Sequence, residues 1–533
     1  MPATDEAAAE PVTSPLRREW RRFRSRGRMI AMSVAAMVVI LLGLLLAVVH
    51  PSCSEGPVEV PCPVAPVGPD GQAVSDTFFF VHRPLGENGG ITARLTSMTG
   101  IITYPPPDHD QIVPGLVPWA KAGIILKDGT RQGSSYAALM LTGGHGVRMQ
   151  YDYVHDVAGR PGGVSPVSPR WLRLTRSGGT ITGYESTDGA HWEKVGTAHL
   201  SGLPPTVQVG LFVASPGDLT LERTPLGASL PASRFTQASA VFDTVRLAGA
   251  PLAGPGGAPA AGWGAGPVGA MGGTDWELHH RAPGLVESHG TFTVTGTGDI
   301  GPVADSGRTV GSTLVGLPIG LIIVIVVAVR FATAGHRTGR TGRTGPAALS
   351  GRVLAAKAMV TGAAAFLTGL VAAGVVVPVG AAILRGNGIG VLPVSALGGL
   401  RVVVGVAALV AVAAVLALAL GALTRRSWTA ILVAVCVIVL PYVLGTLPLL
   451  PDVVSVWLLR LTPAAAFAVQ QTLREYPQVL AFYAPPEGYF PLSGAAGFAV
   501  LSGYAMLGLG LAVLRQRRGA APLRFGGGGR QRS

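Results

Sequence analysis

Between two long apolar runs lies Phe331 to Arg352, FATAGHRTGRTGRTGPAALSGR, a polar loop rich in arginine, and this alternation limits what the chain can fold into. Neither Thr309–Val329 before it nor Met359–Leu384 after it contains a charged residue, and each is long enough to cross the hydrocarbon core of a bilayer as a helix. Short loops rich in Lys and Arg stay on the cytoplasmic side. The loop is therefore predicted to face the cytoplasm and to orient both neighbours.

Composition agrees with a membrane protein. Only 13% of the 533 residues are charged and the mean hydropathy is +0.45, which excludes an ordinary soluble globule. The formal charge of +13 does not point to nucleic acid, because the surplus is one-sided. Arginines cluster in Arg17–Arg28, in the opening loop, at Arg425–Arg426 and after Arg515, all in segments predicted to lie inside.

Six spans are expected, at 29–49, 309–329, 359–384, 402–423, 428–448 and 494–514, with both termini cytoplasmic in a plasma membrane. Segment 1–28 is a tail plus an interfacial helix, since LRREWRRFRSRGR sets Trp20 and Phe23 among arginines. Segment 330–358 is the inner basic loop and 515–533 the inner tail. Gly362, Gly369, Gly405, Gly503 and Gly508 offer small surfaces for helix packing, or face lipid. Cys436 within an apolar run is read as a packed small residue.

Residues 50–308 have the composition of a soluble β domain on the outer side, with a Gly, Ala and Pro-rich linker at 248–271. Period-two alternation marks strands at Ile91–Met98, Ala120–Leu126, Tyr136–Leu141, Val147–Val154, Trp171–Arg176, Val207–Val213 and Ala240–Leu247, which suggests an antiparallel sandwich. In VQVGLFV one face, Val207, Val209, Leu211 and Val213, should be buried. Asp188-Gly189 is expected to turn a tight hairpin between strands that carry Tyr184 and Trp192. Cys53 and Cys62, just outside the first span, would form a disulfide in an oxidising compartment or remain free thiols.

Chemistry is hard to find. Asp152 and Asp156, or Glu185 and Asp188, lack the setting of the positioned acid and base that a glycosidase needs. No span contains Asp, Glu, Lys, Arg or His, so ion-coupled transport is poorly supported, and no phosphate-binding G-x-x-x-x-G-K-[ST] loop occurs. Energy for uphill transport would have to come from another polypeptide. The outer segment 449–493 holds Thr462-Pro463, a cap and first-turn proline, leading into AAAFAVQQTL as a re-entrant element or a surface amphipathic helix.

The hairpin TITGYESTDGAHWEKVG, with WLRLTRSGG before it and VQVGLFVASP after it, resembles the concanavalin A-like lectin/glucanase fold over roughly Asp76 to Leu247. That resemblance implies a jelly-roll sandwich with a sugar-facing groove. The membrane part, through RVLAAKAMVTGAAAF, RVVVGVAALVAVAAVLALALGALTRRS and LRLTPAAAFAVQQTLREYPQVLAFYAPPEGYFPL, resembles an actinobacterial type-2 ABC exporter permease. The fold class expected is a membrane all-α bundle of six transmembrane helices with an inserted extracellular all-β jelly-roll sandwich. The permease likeness implies a homodimer or heterodimer of permeases in membrane lipid, with no cofactor of its own and no catalytic residues. ATP would be bound by a cytoplasmic ABC ATPase docked on the inner loop, at His336, Arg337, Arg340, Arg343 and Arg352. The short outer helices, with Phe467, Gln470 and Gln471, would form part of an outer gate. The loop departs from the family, whose corresponding loop carries an acidic-aromatic pair and a helical stretch where this chain has Thr-Gly repeats. The competing function is a membrane-tethered carbohydrate-binding or sensing protein.

Overall fold

The structure, a computed structural model, describes residues 13–49, 53–55, 58–60, 64–104, 108, 110–249, 262–270, 281–303, 309–338, 351–424 and 426–519. It has two parts, a large β-sandwich and a set of long apolar helices.

All seven strands expected from alternation are present. Val207–Ala214 lies inside a seven-stranded antiparallel sheet, between Lys121–Lys127 and Phe78–Leu85. Tyr136–Thr142, Val147–Tyr151 and His155–Ala158 extend one side, and Gly264–Val268 closes the other. The second sheet runs through Asn88–Thr103 and Thr236–Ala248, with the hairpin Thr180–Ser186 and Glu193–His199 at one edge. Val207, Val209, Leu211 and Val213 face the core between the sheets, as alternation requires.

The opposite face of the same strand is buried as well. Phe212 and Ala214 belong to a second apolar cluster, with Phe78, Phe80, Tyr136, Val74 and Ile300. Two lysines sit on this covered face. Lys127 donates to Asp76 Oδ2 at 2.7 Å, to Ser134 O at 3.0 Å and to Tyr153 Oη at 3.1 Å, and both charged side chains are fully buried. Burial pushes the Lys127 ammonium below its ordinary value, with Asp76 pulling the other way. Asp152 and Tyr153 reach this network through left-handed backbone, φ +44 and +69, which is costly for residues other than glycine. The Tyr153 hydroxyl, 2.7 Å from Asp76 Oδ2, is the contact that this turn secures. Lys121 pairs with Asp299 in the same way and donates to Ile300 O at 2.7 Å.

Two sequence expectations change here. The proposed linker 248–271 contains a strand, Gly264–Val268, because an edge strand needs only backbone pairing and its small residues suffice for that. The hairpin is present, but its loop is wider than a two-residue turn and Trp192 lies in it rather than in a strand. Gly189 alone there has a positive φ, +77. Asp188 organises the loop by accepting from the backbone N–H of Ala190 and His191, both at 2.8 Å. Its carboxylate also lies 2.7 Å from His191 Nδ1, which raises the imidazole pKa above the ordinary 6.5. A raised histidine stabilises the fold fully below the unfolded value and ceases to as pH climbs through the folded one. Nuclear magnetic resonance titration is expected to show His191 titrating above 6.5, and Asp188→Asn to return it there.

Among the described residues, six helices are long and apolar enough to cross a membrane: Arg26–Val48, Leu317–Ala334 within Leu317–Thr338, Gly351–Gly386, Ala396–Thr424, Ser427–Thr446 and Gly494–Arg517 within Gly494–Gly519. The second starts later than the apolar run suggested. The 3-10 helix Val310–Leu314 comes first and the helix begins at Leu317, with Pro318 in its first turn, where a missing N–H costs least. The same helix runs past Val329 to Thr338, so Phe331 is a buried helical residue and not part of a loop. Of the five glycines singled out, Gly369 and Gly405 back closely onto Ala407 and Val469, whereas Gly503 meets nothing within 4 Å. Cys436 is exposed and not packed.

Candidate functional site

Three places compete, and geometry separates them. The outer face of the seven-stranded sheet, where a sugar groove would be sought, is covered by its own chain through Val74, Tyr153 and Ile300. The carboxylates noted in the sequence are each committed locally. Asp156 pairs with Arg148 and accepts from Gln150 Nε2 at 3.0 Å, and Asp152 accepts from Tyr136 N at 3.3 Å. Glu185 accepts from Arg160 N at 2.7 Å while burial pushes its pKa up. Asp188 holds the hairpin loop.

The second place is one end of the helices. The arginine-rich helix Thr13–Phe23 packs against Gly351–Gly386. Phe23 is fully buried and meets Phe331 edge-on, with centroids 5.2 Å apart. Arg28 and Lys357 both lie over the Phe331 ring, at 4.9 and 5.2 Å. Glu19 accepts from Arg22 at 2.9 Å through one carboxylate oxygen, while the other is buried and has no protein partner. Of the proposed docking residues, Arg352 is exposed in the first turn of Gly351–Gly386, and His336 and Arg337 belong to the last turns of Leu317–Thr338. Arg340 and Arg343 lie outside the described residues, as does Cys62; Cys53 lies in a short strand paired with Val58–Val60.

The third place is the strongest. Asp452–Leu461 and Pro463–Gln470 are two helical pieces joined at a 98° bend. Thr462 sits at the bend and its hydroxyl accepts from Ala464 N at 3.3 Å, with Pro463 in the first position, the arrangement its sequence suggested. The second piece is a 3-10 helix with every residue buried, so it is not a surface amphipathic helix. Phe467 stacks on Tyr442 with centroids 3.8 Å apart, and Tyr442 is parallel to Phe490. Gln471 is fully engaged: its Oε1 accepts from Phe490 N, its Nε2 donates to Leu473 O, and its carbonyl accepts from Arg401. Gln470 is not, for its buried Nε2 has no protein partner.

A cavity of about 350 Å³ opens beside these groups. Its wall joins the turn before the second helix (Thr309, Ser312), the end of the fifth (Tyr442, Thr446), the bent segment (Gln470, Thr472) and the Pro485–Gly488 loop. The β domain grips this region from above. Ser229 Oγ donates to Asp452 Oδ2 at 2.5 Å and Gln478 Nε2 to Val154 O at 3.2 Å. Sequence reasoning found Phe467, Gln470 and Gln471 but missed Tyr442, Thr472 and Thr309, which only the fold brings together.

Gly497, on the last helix, lies so close to the bent segment that a Cβ there would fall 2.0 Å from Ala465 O. Gly497→Val is expected to push the bent segment away at a cost of about 3 kcal/mol. A lowered unfolding midpoint, together with faster labelling of a reporter cysteine placed at Phe467, would register this.

The chain matches no family model and no curated protein. Among solved structures it is similar to a functionally unknown protein from Saccharomyces cerevisiae, with 16% identity over 35% of this chain and 83% of that one, at a TM-score of 0.22. It is also similar to scytalido-glutamic peptidase bound to a transition-state analogue inhibitor, with 7% identity over 43% of this chain and 100% of the other, at a TM-score of 0.24. Likeness at this level carries no argument about chemistry.

Proposed function

We propose that this chain is the membrane-spanning permease subunit of an ATP-binding-cassette exporter, energised in trans by a cytoplasmic ATPase. The observation that carries the reading is the buried, sharply bent segment Asp452–Gln470 lodged before the last apolar helix. A span-length bundle with such an element at one end and an arginine-rich interfacial helix at the other fits a gate coupled across a membrane. In this reading both termini are cytoplasmic, the β domain is an extracellular jelly-roll insert in a plasma-membrane protein, and two permease subunits associate. Phe467, Gln470 and Gln471 belong to the outer gate, and His336, Arg337, Arg340, Arg343 and Arg352 to the ATPase-docking surface.

Affinity purification of the full chain from its native host in mild detergent tests this. A P-loop ATPase should co-purify, with turnover that depends on the permease. Replacing 339–350 by a neutral linker, with His336→Ala, Arg337→Ala and Arg352→Ala, should leave insertion intact and abolish the association. Isolation without any ATPase would overturn the proposal.

A further inference from the structure

The ribbon formed by Asp218–Arg223 and Ser229–Arg234 stands outside both large sheets, as a sheet of two strands. A two-stranded ribbon has no core of its own and is marginal in water, so its role depends on what it rests against. It meets the helical part at the start of the bent segment. Ser229 Oγ donates to Asp452 Oδ2 at 2.5 Å, Ser229 N donates to Oδ1 at 3.3 Å, and a Cβ on Gly227 would lie 3.2 Å from Pro451 Cγ.

The apex of the ribbon is a firm turn that presents an apolar side chain. Gly227 N donates to Thr224 O at 2.9 Å and Thr224 N donates to Ala228 O at 2.8 Å, with Pro225 at the second turn position and Gly227 at a positive φ of +91. This holds Leu226 outward, 63% exposed, where turns ordinarily carry polar residues. Leu221 and Leu230 are exposed as well, and the register sets them on opposite faces, since Leu221 pairs with Pro231 and Leu230 with Glu222.

The helix that the ribbon grips shows what lies alongside. In Asp452–Leu461, Ser455 and Leu459 are buried, and Leu459 packs on Gly445 near the end of the fifth apolar helix. The opposite stripe, Val453, Val454, Trp457 and Leu461, is apolar and exposed. Beside helices long and apolar enough to cross a membrane, such a stripe faces lipid. Trp457, with Arg460 5.6 Å over its ring, has the aromatic and cationic composition found where hydrocarbon meets headgroups. Val453 follows Pro451 by two residues, so the ribbon tip lies at the edge of this stripe.

We propose that the Asp218–Arg234 ribbon docks on the bilayer surface, with Leu226 inserted at the boundary between headgroups and acyl chains and Leu221 and Leu230 flanking it. A tip that enters end-on has lipid on both faces, which suits leucines on both, while Glu222 and Arg223 reach back to the headgroups. The occupant is lipid of the membrane that the apolar helices cross. The proposal needs only that bilayer and is independent of the transport reading. Docked in this way, the ribbon ties the membrane surface to Asp452 and so to the bent segment.

The test uses the full chain in phosphatidylcholine nanodiscs, with Cys53, Cys62 and Cys436 replaced by alanine and an environment-sensitive dye attached through Leu226→Cys. Lipids brominated near the top of their acyl chains should quench the dye at least about half as strongly as they quench it at Val453→Cys. Aqueous iodide should quench it about threefold less than at Val167→Cys, a position 94% exposed on the sandwich. Should the labelled variant not fold, Leu230→Cys takes its place. Quenching by iodide without quenching by bromine would leave the tip in water. Protection from both, with a disulfide-linked dimer on oxidation, would make a second copy its cover; protection from both without a dimer would make it another segment of this chain. Each of these three results overturns the proposal.

Discussion

Asp76→Ala is expected to destabilise the β domain by about 3–5 kcal/mol, because it leaves the Lys127 ammonium buried and unpaired. Asp76 Oδ2 is also the acceptor for Tyr153 Oη and Gly133 N, at 2.7 and 2.8 Å, so three donors lose their partner at once. The first unfolding transition of the full chain, followed by tryptophan fluorescence, should fall by roughly 10 °C. A paired replacement, Lys127→Met with Asp76→Leu, should recover the part of that loss due to the unpaired ammonium, since buried ion pairs often exchange for apolar pairs at little cost, but not the part due to Gly133 N and Tyr153 Oη. A single variant as stable as the parent would mean that the pair is hydrated in solution.

Phe23→Ala should release the helix Thr13–Phe23. Phe23 is fully buried against Phe331, and deleting a buried aromatic ring costs about 3 kcal/mol, which corresponds to roughly a hundredfold more frequent opening. Hydrogen exchange should therefore accelerate by that factor over Thr13–Phe23 and remain unchanged in the β domain. If the chain couples to an ATPase as proposed, ATPase association should weaken in parallel. Phe331→Ala should reproduce the effect from the other side, because it removes the ring that Phe23, Arg28 and Lys357 all meet.

Much of this architecture is legible in one dimension. The apolar stretches need only length, and the sandwich strands need only alternation, so both could be read without contacts. Phe78–Leu85 escaped because its sheet is buried on both faces, and FFFV therefore shows no alternation. Lys121 and Lys127 carry charges that sequence assigns to solvent, yet both are buried because Asp299 and Asp76 arrive from far along the chain. The start of the second helix was legible in part, since Pro318 suits a first turn, although Pro378 lies inside Gly351–Gly386. The cavity was not. Its wall draws on Thr309, Tyr442, Gln470 and Glu487, and no local pattern announces that these meet.

The ends of the inserted β domain are paired with each other. Val74–Asp76 and Ile300–Pro302 form a two-stranded ladder in which Asp76 lies opposite Ile300. However large the insert, the chain leaves it where it entered, so its length places no demand on the spacing of the neighbouring apolar helices. The domain meets the helical part a second time, through Ser229 on Asp452 and Val154 on Gln478. Excising it above that ladder would keep the chain's path and cut this second tie to the bent segment.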